Sequence, residues 1–244
     1  MIHVGDYYYR ESPCPQGDAG CAGSPHGDKW TSWDADFFAP VSPLLTAARW
    51  IFARGNHEQC GRGADGWFRI LDAAPLPQRC EDSITAAPFT MRIDGLTLNV
   101  MDSADTDDTT FPAKLVEVFN RQFQELGAAI ETGHGWIVTH RPIWGVDPKV
   151  VGKLRPGHEA ANEKEAMAPL LPGFNAVDYP VNRTEQAASD YRKLAGTDMV
   201  LSGHVHLFTA LSFGPQRPSQ LIVGNGGDNP DVAVAGAAHT FGDD

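Results

Sequence analysis

The sequence has no long apolar run and few basic residues. None of its 244 residues lie in a stretch approaching the roughly 20 consecutive apolar positions that cross a bilayer as a helix. Lys and Arg number 19 against 31 Asp and Glu, giving a formal net charge of -12. Because nucleic acids and anionic membranes attract basic surfaces, we predict neither as a partner. A small phosphorylated substrate stays compatible, since bound cations reverse the charge locally.

Cysteine is also scarce. The four cysteines, Cys14, Cys21, Cys60 and Cys80, lie in sequence rich in Gly and Pro. They are able to form two disulfides, and Cys14–Cys21 with Cys60–Cys80 is the most local of three pairings. Four free thiols in a cytosolic protein are the alternative. We favour disulfides, because loop cysteines are more easily explained as staples, and the C-x2-C spacing of structural zinc sites is absent.

The composition is that of a globular protein, with 42% hydrophobic and 20% charged residues. This length and composition predict one α/β domain over residues 1–244. Two segments, about 10–35 and 145–180, are rich in Gly, Pro or polar residues and are predicted as loop insertions. Loops this long inside a compact domain are usually functional.

Apolar periodicity supplies the expected elements. Strands are predicted at residues 1–4, 49–53, 89–93, 96–101, 136–139, 198–202, 208–213 and 220–223. The dipeptide Asp94-Gly95 between two of these runs predicts a hairpin. Helices are predicted at residues 42–48 (with Ser42 as N-cap), 112–131, 159–169 and 184–195.

Polar residues follow four of the predicted strands. Asp6, Asn56, His140 and His204 each come just after the carboxyl end of a strand. Ligands bind beyond the carboxyl ends of strands in sheets of this kind. Each residue alone has an ordinary explanation, such as a turn or a surface histidine. Together they predict a metal site.

These residues belong to four short motifs in a fixed order. The motifs are Gly5-Asp6, Gly55-Asn56-His57-Glu58, His140 after Thr139, and Gly203-His204-Val205-His206. In this order they resemble the calcineurin-like metallophosphoesterases, over residues 5–206. The resemblance implies an αββα sandwich of two mixed sheets flanked by helices. It also implies hydrolysis of phosphate esters through two metal ions.

The same resemblance implies a set of metal ligands. Asp6 corresponds to the carboxylate that bridges two metals. Asn56, His140 and His204 correspond to ligands of one metal, and His206 to a ligand of the other. Imidazole and amide ligands suit iron, zinc or manganese better than calcium. Two cations roughly 3.5–4 Å apart neutralise the ester and acidify an attacking water.

Two further roles follow from the family pattern. His57 resembles the residue that protonates the leaving oxygen or steadies the transferring phosphoryl group, and Glu58 is expected to orient it. The spacing Asp6-x-x-Tyr9 resembles the purple acid phosphatase branch, in which a tyrosinate binds ferric iron. It implies iron paired with a divalent iron, zinc or manganese ion. The alternative is that Tyr9 belongs to an aromatic loop wall.

One motif of the family is missing. Its members carry Asp-x-His or Asp-x-Gly on a strand upstream of Gly-Asp, and only four residues precede Gly5 here. We expect a truncated or misassigned start that removes the first strand, and a full-length form that is secreted or periplasmic. The alternative is a catalytically impaired or metal-dead relative acting as a binding protein. No Gly-x-Ser-x-Gly motif supports a serine hydrolase.

Two other residues have open interpretations. Arg141, which follows a predicted metal ligand, either clamps phosphate or forms a surface salt bridge. Asp102 ends a predicted strand, and a supporting role for it has no evidence in the sequence. His3 is given no functional role.

Overall fold

The computed structural model describes residues 1–73, 85–105, 113–130, 134–143, 196–212 and 218–226. The predicted insertion at 145–180 and the predicted helices at 159–169 and 184–195 lie outside the described residues. Within the described ranges, no helix is long and apolar enough to cross a membrane.

The larger sheet has six strands, and its centre is parallel. The strand order is β3-β4-β5-β6-β8-β7, with β3 and β7 antiparallel at the two edges. The bounds are β3 Phe89–Ile93, β4 Leu96–Val100, β5 Gly135–Val138, β6 Thr197–Ser202, β7 Phe208–Leu211 and β8 Ser219–Val223. The predicted hairpin is confirmed: Asp94 and Gly95 have φ of 46° and 87°, the positive pair that a two-residue type I′ turn requires.

A second, parallel pair of strands covers one face of this sheet. β1 (Ile2–His3) pairs with β2 (Ile51–Phe52). Alternation puts apolar side chains of this pair against β4, β5 and β6. The resulting core comprises Val4, Ile51, Ala53, Leu98, Val100, Val138 and Leu201. This layer lies between the sheets, as a sandwich requires.

Helices cover the two outer faces. α4 (Ala113–Ile130) confirms the predicted helix at 112–131, and its apolar stripe packs on the free face of the large sheet. Phe119, Phe123 and Ile130 are among its buried residues, at helical spacing. On the other side lie α1 (Trp30–Trp33), α2 (Ala39–Ala47) and α3 (Ala64–Ile70). The mixed α/β sandwich predicted from the motifs is confirmed in this arrangement.

The predicted helix at 42–48 was placed too late. The helical segment begins at Trp30, inside the predicted loop, and continues through a π-turn at Asp34–Phe38 into α2. Ser42 is therefore not an N-cap. Its hydroxyl donates to the Ala39 carbonyl at 3.0 Å. In a regular helix the N–H of residue 43 would donate to this carbonyl, but Pro43 has no N–H. The Ser42 hydroxyl takes its place, so the carbonyl stays hydrogen-bonded.

The helix α3 was not predicted from the sequence. Its residues Ala64, Trp67 and Phe68 have the i, i+3, i+4 spacing of a buried helical face. They pack with Tyr7, Tyr8 and aromatic residues of the 30–38 segment, outside the β1–β2 layer. The helix was missed because flanking glycines and a short length resemble a loop.

Candidate metal centre

Four of the predicted ligands meet at one point. Donor atoms of Asp6, His140 and His204 all lie within 4.8 Å of one another. The Asn56 Oδ1 atom lies 2.8 Å from His140 Nε2 and 2.8 Å from His204 Nδ1. Asp6 Oδ2 lies 3.4 Å from His140 Nε2. We name these four residues the donor cluster.

The fold brings the donor cluster together at the carboxyl ends of four strands. Asp6 follows β1, Asn56 follows β2, His140 follows β5 and His204 follows β6. The loop after β5 is tied to the loop after β6, since Gly203 N–H donates to the His140 carbonyl at 2.8 Å. Residues as far apart in the sequence as Asp6 and His204 therefore share one site.

Backbone strain accompanies this convergence. Asp6 and His204 have φ of 60° and 66°, in the left-handed region that side-chain-bearing residues rarely adopt. Such conformations cluster at functional sites. The chain also packs closely here: a Cβ on Gly5 would lie 2.3 Å from His140 Nδ1, and one on Gly55 would lie 2.1 Å from the Asp6 nitrogen.

The chemistry of the donor cluster calls for a cation. His140 Nδ1 lies 2.7 Å from the Val4 carbonyl oxygen, so it donates its proton there. In the uncharged form of the ring, Nε2 turns its lone pair toward Asn56 Oδ1 and the Asp6 carboxylate. Acceptors face acceptors in a buried place, with side-chain exposures of 1% for His140 and 8% for Asp6. A cation among them resolves that repulsion.

The spacing of these atoms also fits a metal ion. Metal bonds of about 2.0–2.2 Å put neighbouring ligand atoms roughly 3 Å apart. The three measured separations in the donor cluster, 2.8, 2.8 and 3.4 Å, agree with that. A carboxylate, an amide oxygen and two imidazoles suit first-row transition metals and zinc.

The electrostatics of the donor cluster favour its metal-binding protonation state. Burial acts to raise the pKa of Asp6, but nearby His140 and His57 hold it below the usual value. Burial, together with the Arg141 guanidinium, holds the pKa of His204 well below 6.5. An ionised carboxylate and a neutral imidazole are the forms that bind metals.

Arg141 does not form the surface salt bridge that was one of its two interpretations. It is 4% exposed, and its Nη1 lies 2.9 Å from His204 Nε2. Its backbone N–H donates to Ser103 Oγ at 2.9 Å. Arg141 therefore lies beside the donor cluster and fixes the far edge of the His204 ring.

Glu58 does not orient His57 as expected. Its side chain is completely buried and accepts four backbone N–H groups, from Asp6, Tyr7, Tyr8 and Gly55, at 2.8 to 3.2 Å. The short 3-10 turn at Asn56–Glu58 points the carboxylate inward, under the loop that carries Asp6. Burial and the Asp6 charge raise the pKa of Glu58 to about 8, against the four donors, which favour the ionised form.

His57 is held by other residues. Its Nδ1 lies 2.7 Å from Glu11 Oε1 and 2.8 Å from Arg62 Nη2. One ring face packs on Tyr9, with ring centroids 3.9 Å apart. Its backbone N–H donates to Asp6 Oδ1 at 3.0 Å, which joins it to the donor cluster. Burial lowers the pKa of His57 despite the neighbouring carboxylates.

The two remaining predicted ligands lie at the margin. The hydroxyl of Tyr9 is 3.5 Å from Asp6 Oδ2, and the side chain is 39% exposed. His206 is half-buried and close enough to lower the pKa of His204. In the described part of the chain, the cluster of donor atoms around Asp6 does not include His206.

Comparison with known protein families identifies the family of this chain. The model of the calcineurin-like phosphoesterases matches residues 1–208. The chain belongs to that family. Calcineurin-like phosphoesterases are metal-dependent hydrolases, so the family implies divalent metal ions.

Three solved structures are similar to this chain at low sequence identity. PhoD superimposes with a TM-score of 0.50 and 13% identity, over 91% of this chain and 50% of PhoD. A dimetal phosphatase from Danio rerio gives 0.44 and 13%, over 76% and 64%. A putative 5'-nucleotidase from Staphylococcus aureus, in complex with alpha-ketoglutarate, gives 0.44 and 12%, over 91% and 38%. The chain thus spans less than two thirds of each. No curated protein sequence matches it significantly.

Sequence reasoning missed the residues that support the phosphoesterase site. Glu11 and Arg62 meet His57 across 46 and five positions, and neither stands in a motif. The carboxylate of Asp36 accepts the backbone N–H groups of Tyr9 and Arg10, at 2.8 and 3.0 Å. Asp36 lies in the π-turn Asp34–Phe38, and such turns are frequent at functional sites.

One of the two predicted disulfides lies within the described residues. The sulfurs of Cys14 and Cys21 are bonded to each other, with Cα atoms 5.5 Å apart. The expected partner of Cys60 is Cys80, which lies outside the described residues. The Cys14–Cys21 bond closes a short loop directly after Glu11.

Proposed function

We propose that the chain hydrolyses small phosphate esters through a dinuclear metal centre. The observation that carries this proposal is the donor cluster, in which a carboxylate, an amide oxygen and two imidazoles converge in a buried place. Membership of a metal-dependent hydrolase family supports the same conclusion. Metal ions, when bound, supply Lewis acidity that neutralises the ester and makes the attacking water more acidic.

The proposed ligands extend from the donor cluster outward. Asp6 would contribute to both metal sites, and Asn56, His140 and His204 would hold the ion in one of them. His206 and Tyr9 are proposed for the other, which would hold iron beside a divalent iron, zinc or manganese ion. The position of the Tyr9 hydroxyl, 3.5 Å from the Asp6 carboxylate, supports that placement.

His57 is the proposed catalytic residue. It adjoins Asp6 through its backbone and is partly open to solvent, with 18% of its side chain exposed. A ring in that position is able to donate a proton to the leaving oxygen or a hydrogen bond to the phosphoryl group. Glu58 is proposed to support the Asp6 loop rather than the imidazole. Arg141 would keep His204 in place.

The substrate is proposed to be small because the net charge of -12 opposes polyanionic partners. A secreted or periplasmic location is also proposed. The bonded Cys14–Cys21 pair supports it, since disulfides persist in oxidising compartments.

Turnover of aryl phosphates tests the proposed activity. Wild-type protein, loaded with iron, zinc or manganese, is expected to cleave p-nitrophenyl phosphate or bis-p-nitrophenyl phosphate, and Asp6→Asn is the matched control. Bound metal without turnover of either ester would contradict hydrolysis and favour the binding-protein alternative. Equal turnover by Asp6→Asn would show that a contaminant does the work.

A further inference from the structure

We propose that Glu11 is the positioning residue of His57 and that it ties the 10–29 loop to the reaction centre. This inference rests on the proposed function, because His57 is the catalytic residue only there. The geometry itself does not depend on the metals: it consists of one carboxylate, one guanidinium and one imidazole outside the donor cluster.

The three groups form a closed triangle. Glu11 Oε1 lies 2.7 Å from His57 Nδ1 and 2.5 Å from Arg62 Nη2. Arg62 Nη2 in turn lies 2.8 Å from the same ring nitrogen. The side chains of Glu11 and Arg62 are each 27% exposed, so the pair is partly shielded from water. Partial shielding makes such a contact stronger than a surface ion pair.

Arg62 connects this triangle to the ligand-bearing turn. Its Nε donates to Glu11 Oε1 at 2.8 Å, and its Nη1 donates to the Asn56 carbonyl at 3.1 Å. The guanidinium thus balances the Glu11 charge while its own position is set by the backbone beside His57. A planar fork makes these contacts together, which a lysine ammonium does not do with the same geometry.

The backbone that carries Glu11 is fixed on both sides. Before it, Asp36 accepts the N–H groups of Tyr9 and Arg10. The Arg10 carbonyl, directly before Glu11, accepts the N–H of Gly27 at 2.8 Å, which closes the base of the loop that follows. The Cys14–Cys21 bond shortens the loop further. The loop therefore presents its first carboxylate to His57 from a defined place.

Among the described residues, no other carboxylate is placed to orient the His57 ring. The carboxylate oxygens of Glu58 already accept four backbone N–H groups of the turn and the Asp6 loop. Packing on Tyr9 fixes the plane of the His57 ring but not which nitrogen faces the site. A hydrogen bond from Nδ1 to Glu11 settles that choice, and Nε2, which lies 3.3 Å from Arg62 Nη2, is then the nitrogen that meets the substrate.

The test compares three variants with wild type. Glu11→Ala removes the acceptor, Glu11→Gln keeps an acceptor oxygen, and Asp18→Ala removes an exposed carboxylate of the same loop. We expect Glu11→Ala to lower kcat for p-nitrophenyl phosphate by about 10- to 100-fold, with KM and metal content unchanged. Glu11→Gln should recover most of the loss, and Asp18→Ala should match wild type.

An independent readout is the imidazole 15N signals of His57, assigned by their absence in His57→Asn. Glu11→Ala should shift and broaden them, because the ring loses its fixed nitrogen. A raised KM at unchanged kcat, an equal loss in Asp18→Ala, or unaltered 15N signals would each overturn the proposal. If wild type lacks turnover, the proposed function fails, while the 15N comparison still decides whether Glu11 holds the ring.

Discussion

Two buried polar clusters lie close together in this molecule and differ in one respect. In the first, the fully buried Arg54 side chain stands between Asp102 and Asp105, with Nη1 3.0 Å from a carboxylate oxygen of each. Asp102 also accepts the N–H groups of Ala86 and Ala104, at 2.5 and 2.9 Å. This cluster contains its own cation and its own donors.

The donor cluster has no such internal cation. There the carboxylate of Asp6, the amide oxygen of Asn56 and the Nε2 lone pair of His140 converge, and the nearest guanidinium, that of Arg141, contacts the far side of the His204 ring. Burying charge costs free energy unless it is compensated. A cluster whose buried carboxylates are balanced by a cationic side chain of its own is structural. A cluster without such a side chain is arranged to receive a cation.

The largest expected effect is that of Asp6→Asn. The substitution keeps the size of the side chain but removes the bridging charge, so metal binding and turnover should fall to background together. The matched change in the other cluster is Asp105→Asn, which should leave metal content per folded chain unaltered. Metal analysis and aryl phosphate turnover, both below the unfolding temperature, make the comparison. Loss of metal in both variants would erase the distinction between the clusters.

A smaller loss is expected for His57→Asn. Its side chain lies outside the donor cluster, so metal content should remain while kcat falls by about 10²- to 10⁴-fold, the range of one general acid or base. Single-turnover kinetics and metal analysis on the same preparation separate the two quantities. Metal loss in this variant would mean that His57 is a ligand.

Arg54→Met should change stability instead of chemistry. Removing the cation leaves Asp102 and Asp105 buried without it, and the free energy of unfolding should fall by about 3–5 kcal/mol. Denaturant titration measures the change, and metal per folded chain serves as the control. An unchanged midpoint would show that the carboxylates have another source of compensation.

The smallest effect concerns acid stability. Burial lowers the pKa of His3 to about 4, against 6.5 for the free side chain, and its ring stacks on Tyr7 at 4.2 Å. Because the unfolded chain binds the proton more readily, stability is lost as pH falls from 6.5 toward 4. His3→Phe keeps the aromatic packing and should flatten part of this decline, measured as Tm between pH 7 and 5. Parallel Tm curves for both proteins would refute the assignment to His3.

Sequence patterns predicted the part of the molecule that local chemistry determines. The eight described strands and α4 follow apolar periodicity, and the donor cluster follows from polar residues at strand ends. The start of the first helical segment was missed because aromatic residues around Trp30 stand in loop-like sequence. The support of His57 was misassigned to Glu58, its neighbour in the chain, whereas Glu11 reaches it only through the folding of a distant loop.

Metal content per chain tests the central claim most directly. Plasma mass spectrometry is performed on wild type and Asp6→Asn, purified in parallel without added metal. The account predicts close to two metal ions per wild-type chain, with iron among them, and close to none in the variant. Wild-type protein that holds no metal even after incubation with iron, zinc and manganese would contradict it, as would equal metal content in the two proteins.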